Sequence, residues 1–127
     1  MNIVLWFFQV FLGAAIGFGG VEKVFAYDKM LQQYAWVKDV SPSLVTFIGI
    51  CEMLGGIGLI LPALTRVMPR LTPIAASALT LLMVLAGGFH VMRGEFHSLI
   101  PVTVLGCLFA FIAYGRFKLK PIQSKNA

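Results

Sequence analysis

Charge is what this sequence has least of. Only 12% of its 127 residues are Asp, Glu, Lys or Arg, against about 25% in an ordinary soluble domain. A chain dissolved in water must cover most of its area with polar groups, and this one cannot. Buried helices of a larger soluble protein are excluded on the same ground, because 127 residues leave no polar shell to hide them behind.

Other absences narrow the chemistry. There are two cysteines, Cys51 and Cys107, and no CxxC. The histidines, His90 and His97, stand seven apart with Glu95 between them, a spacing that matches no metal-ligand motif. No metal site is expected. A phosphate-cradling glycine loop and a nucleophile elbow are both missing, and "GFGG" at 17–20 lacks the strand–turn–helix setting of a dinucleotide site. There is no nucleic-acid-binding motif. The net charge of +5 is met by anionic lipid headgroups beside a basic tail, at about 1 kcal/mol per residue.

What the chain does have is hydrocarbon: 59% of it is hydrophobic. Four apolar stretches cover approximately 3–26, 43–64, 72–92 and 98–115, near the roughly 20 residues that a membrane-crossing helix needs. The expected fold is all-α, an integral membrane four-helix bundle forming one domain over 1–127, with a basic tail at 116–127. The opening "MNIVLWFFQVF" has no Lys or Arg before Lys23, unlike the positive start of a signal peptide. It is read as a retained span. Lys and Arg are biased to the side holding Arg66, Arg70, Arg116, Lys118, Lys120 and Lys125, so both termini are expected in the cytoplasm.

The first extracytoplasmic loop, "AYDKMLQQYAWVKDVSPS", repeats apolar residues at Tyr27, Met30, Leu31, Tyr34 and Val37. That spacing predicts a short amphipathic helix on the membrane surface, ended before Ser41-Pro42. Tyr34 and Trp36 are residue types of the membrane–water boundary. Gly13 and Gly17 form a GxxxG, a packing device with self-association into a homo-oligomer as its second use.

Ionisable groups inside spans are costly, face the bundle interior and mark functional sites by default. Here they are Glu22 and Lys23 late in the first span, Glu52 in the second and His90 late in the third. Glu52 lies roughly 12 Å below the boundary at 1.5 Å per residue, within reach of the long Lys23 stem. The expectation is a pocket lined by Lys23, Glu52 and His90, the first two an ion pair that is either a structural fastening or a ligand site. Glu22, Arg93, Glu95, Cys51 and Cys107 are weaker candidates. The two cysteines come at similar depth and invite a redox pair, although buried single cysteines behave as small hydrophobes.

"GFGGVEKVF", "FIGICEMLGGIGLILP" and "ALTLLMVLAGGFHVMRGE" together resemble the DoxX-like family of small four-helix bacterial membrane proteins. The matching elements are G-x-x-K at Gly20–Lys23, G-x-x-E at Gly49–Glu52 followed by Pro62, and the late histidine His90. The resemblance implies a bundle in the bacterial inner membrane and an association with quinone-linked redox systems, with quinone as a candidate cofactor and a redox membrane protein as a candidate partner. It assigns no single activity, so whether the chain is an enzyme stays open. The competing reading is a non-catalytic bundle that binds a lipid or stabilises a partner membrane protein. A transporter is a weaker third, for want of an inverted repeat.

Overall fold

A computed structural model describes residues 2–34 and 36–124. Among them there is no strand. The elements are α1 (Asn2–Phe25), α2 (Tyr27–Gln33), a 3-10 turn (Val37–Asp39), α3 (Pro42–Thr65), α4 (Leu71–Met92), a second 3-10 turn (Phe96–Ser98) and α5 (Leu99–Tyr114), which widens into a π-turn over Gly115–Leu119. Among the described residues four helices are long and apolar enough to cross a membrane: Asn2–Phe25, Pro42–Thr65, Leu71–Met92 and Phe96–Leu119. The chain is an all-α, multi-pass membrane bundle.

Local chemistry sets the boundaries. Ser41 caps α3, its hydroxyl accepting from the Leu44 N–H at 3.2 Å, and Pro42 takes the first helical position, where a missing N–H costs nothing. Pro62 sits deep inside α3 and cannot donate to the carbonyl four residues back. That carbonyl, of Gly58, instead accepts from the buried Thr72 hydroxyl of α4 at 2.8 Å. The proline thus leaves a backbone acceptor that the next helix fills.

Packing is pairwise: α1 lies along α3, α4 lies along α5, and α3 with α4 joins the pairs. Glycine makes the first contact close. A Cβ added at Gly49 would come within 2.8 Å of the Gly20 carbonyl, and one at Gly56 within 2.6 Å of the Gly13 carbonyl. Gly13 and Gly17 therefore meet α3 of the same chain. The core gathers Leu12, Leu59, Leu79, Met83, Phe109 and Ile112.

The charges separate along the bundle. Glu22, Asp28, Asp39, Glu52 and Glu95 all belong to the half that carries α2 and the turn after α4, called here the loop end. The opposite, terminal end holds Arg66, Arg70, Arg116, Lys118 and Lys120, with no acid among the described residues. Lys125 lies outside the described residues.

Two expectations need correcting. The surface helix is shorter than its periodicity implies, ending at Gln33, with Tyr34 extended. On a continuing helix Trp36 would sit about 120° around from Met30 at 3.6 residues per turn. The break lets Met30 and Val37 bury against Val45 while Trp36 turns onto Phe89 in an edge-to-face contact at 6.1 Å. The basic tail also starts later than 116. Arg116 is buried at 3% exposure, its Nε donating to Gln9 Oε1 at 2.5 Å and its Nη1 to Asn2 Oδ1 at 2.7 Å and the Lys120 carbonyl at 2.9 Å. The Trp6 ring stands 5.5 Å from the guanidinium. Gln9 in turn donates to the Leu59 carbonyl at 2.8 Å. A long stem let Arg116 fold back onto α1, so it closes the bundle.

Candidate functional site

The close glycine contact between α1 and α3 carries Lys23 over Glu52. Lys23 Nζ lies 3.0 Å from one oxygen of Glu52 and 3.1 Å from the other. Their side chains are 13% and 6% exposed, so this pair is withdrawn from its surroundings, and each charge needs the other. Gly19 lets them approach α1 closely: its missing Cβ would lie 3.4 Å from Glu52 Oε2.

Glu52 has a second face. It belongs to the wall of a cavity of about 350 Å³ between the loop-end halves of α3 and α4, together with His90, Trp36, Phe47, Phe89 and Leu82. A volume of this size, mostly apolar with a few convergent polar groups, is the usual make-up of a small-molecule site. Lys23 is not on that wall; it stands behind Glu52. The structure therefore brings Glu52 and His90 to one cavity and Lys23 to Glu52.

His90 is held from outside the cavity. Its Nδ1 is 3.0 Å from Glu95 Oε1, which also accepts from Arg93 Nε at 3.0 Å. Arg93 Nη1 continues to Asp39 Oδ2 at 2.7 Å and its guanidinium stacks over Phe89 at 5.4 Å. Hydrogen bonds from His90 and Arg93 hold the Glu95 carboxyl below the usual range, so it is an acceptor. Asp39 and Glu95 likewise raise the Arg93 guanidinium above its ordinary value. With Glu95 ionised, the His90 proton belongs on Nδ1, and Nε2 is the nitrogen left for a ligand. The same chain of contacts ties the 3-10 turn, and with it Trp36, to the end of α4.

The remaining candidates fall elsewhere. Glu22 pairs with Lys29 at 2.9 Å on the α1–α2 corner. Cys51 and Cys107 are both free, Cys51 half-buried and Cys107 exposed on α5. Similar depth did not bring them together, because α3 packs on α1 and α4 and leaves α5 to α4. Among the described residues no three His, Cys, Asp or Glu gather as metal ligands.

Sequence reasoning missed Trp36, Phe47 and Phe89 as cavity walls, and Asp39 as the Arg93 partner. Aromatics are everywhere in these spans, and nothing in their spacing marks the three that line a cavity. Arg116 did have a signal: Gln9, a buried amide in an apolar span, needs a partner.

The profile of the DoxX-like family matches residues 7–113, a stretch that contains Lys23, Glu52 and His90. No curated protein and no solved structure matches the chain.

Proposed function

The chain belongs to the DoxX-like family, and on that premise we propose that it is a small subunit of a quinone-linked redox system of the bacterial inner membrane, with the α3–α4 cavity as its quinone site. One observation carries the reading: a carboxylate and an imidazole face the same apolar, aromatic-walled cavity. A flat quinone ring stacks on faces such as Trp36, Phe47 and Phe89, and its two oxygens seek polar partners at opposite edges. Glu52 accepts a hydrogen bond from a quinol hydroxyl. His90 Nε2 accepts one when the ring is neutral and donates one when it is protonated, so it serves both oxidation states. Lys23 keeps the Glu52 charge tolerable with the cavity empty. The electrons are exchanged with a partner redox protein. The basic terminal end supports a topology with both termini in the cytoplasm and hence a cavity in the outer leaflet.

The test uses protein in lipid nanodiscs with Trp6→Phe, so that Trp36 alone reports. Short-chain benzoquinone and its quinol should quench Trp36 saturably. His90→Gln should weaken binding of both forms, and Lys23→Met with Glu52→Gln that of the quinol, by about tenfold or more, the worth of a hydrogen bond to a charged group. Quenching that never saturates, or that ignores both variants, refutes the site. Saturable quenching by a phospholipid in place of quinone favours the non-catalytic lipid-binding bundle.

A further inference from the structure

The cavity does not end at Glu52. Leu82 and Leu85 of its wall also belong to a groove of about 570 Å³ that follows the same α3–α4 seam toward the terminal end. The groove has a physical origin in residue size. At Gly55 an added Cβ would meet Leu79 at 2.6 Å, and at Gly58 it would meet Ala75 at 2.7 Å, so the helices touch along small residues. Leu54, Ile57, Leu81 and Leu85 stand up on either side, each half or more exposed. Along α4 the groove runs from Leu85 to Leu71, about 21 Å at 1.5 Å per residue.

We propose that this groove holds the hydrocarbon tail of the ligand whose head occupies the cavity. The ligand class is thereby an amphipathic molecule with a compact hydrogen-bonding head and a long apolar tail, lying along α3 and α4 with its tail toward the terminal end. The inference rests on the quinone-site reading for the head. What singles out the tail as the occupant is continuity: one seam, two shared leucines, polar groups at one end and apolar residues along the rest. A tail leaving a head anchored at Glu52 and His90 has this channel before it. Because hydrocarbon outside is as apolar as the groove, the tail gains little by transfer from lipid. The groove therefore selects position and orientation more than affinity, and the experiment must read position.

A benzoquinone with a ten-carbon tail ending in a diazirine is photolysed in nanodiscs with the intact chain, and the adducts are mapped by peptide mass spectrometry. Adducts concentrated on Leu54, Ala78 and Leu81, and removed by excess tail-less benzoquinone, are the expected result. Adducts spread over exposed residues of α1 and α5, such as Phe11 and Val104, overturn the inference while leaving the head site intact. So do groove adducts that survive an excess of head-only quinone, since the tail is then bound as any lipid chain. Failure of tail-less benzoquinone to quench Trp36 saturably removes the head site, and the tail proposal falls with it. As a second variant, Ala78→Phe fills the groove and should shift the adducts out of it without changing head-only quenching; adducts unmoved by it overturn the assignment.

Discussion

The Lys23–Glu52 pair admits a prediction that separates its Coulomb attraction from its burial cost. At 3.0 Å and an effective dielectric constant near 20, two unit charges attract by about 5 to 6 kcal/mol. Withdrawing each ion from water costs several kcal/mol, so the intact pair is close to neutral for stability. Removing one partner leaves the other charge buried and uncompensated, at a cost of about 3 to 5 kcal/mol. Lys23→Met and Glu52→Gln should each lose that much, measured by detergent-induced unfolding followed by circular dichroism. Combined, the two changes should return most of the stability, so that the coupling across the cycle is nearly the sum of the two single losses. Exposed pairs behave otherwise, giving about 0 to 1 kcal/mol. Losses that simply add, or single losses below about 1 kcal/mol, would refute the argument. The double variant stays folded while lacking the Glu52 carboxylate, so a loss of ligand binding in it reports on the site and not on stability.

Gly49→Ala should loosen the α1–α3 contact, because its Cβ would press within 2.8 Å of both the Gly20 carbonyl and Lys23 Cβ. Overpacking of this kind costs about 1–3 kcal/mol, whereas Gly17→Ala, with nothing within 4 Å, should leave the unfolding midpoint unchanged. Arg116→Met strands Gln9 Oε1 in the core and should lose about 1–3 kcal/mol in the same assay; Arg116→Lys should not recover it, since an ammonium lacks the fork that reaches Gln9 and Asn2 together. Acid should release Trp36 from Phe89. The Glu95 carboxyl is lowered from 4.5, so its contribution is complete above that value and is lost as pH falls from it through the folded-state value. Trp36 fluorescence in the Trp6→Phe background should shift in that acid range, and Glu95→Gln should abolish the shift.

The solvent and the number of crossings were legible from composition and run length alone. Charge at half the soluble level leaves lipid as the medium, and four stretches near 20 residues set four helices whose backbone polar groups must be satisfied internally. The Lys23–Glu52 pairing was legible for a related reason. A charge in hydrocarbon must find its opposite, and Lys23 was the one basic residue in the spans at a depth from which to reach Glu52. Tertiary structure decided the rest. Whether His90 met Lys23 or only shared a cavity with Glu52 depended on how α4 rotates against α3, and that rotation is set by Gly55 meeting Leu79 and Thr72 reaching the carbonyl freed by Pro62. Trp36 looked like a membrane-boundary residue until the break after Gln33 turned it onto Phe89. Arg116 looked like the first residue of a solvated tail, and only the meeting of α1 and α5 gave it Gln9 and Asn2 as partners. Spacing along one helix fixes which residues share a face. It carries no information about which face of the next helix lies opposite, because that choice is made by side-chain volumes far apart in the chain, as Gly55 and Leu79 are.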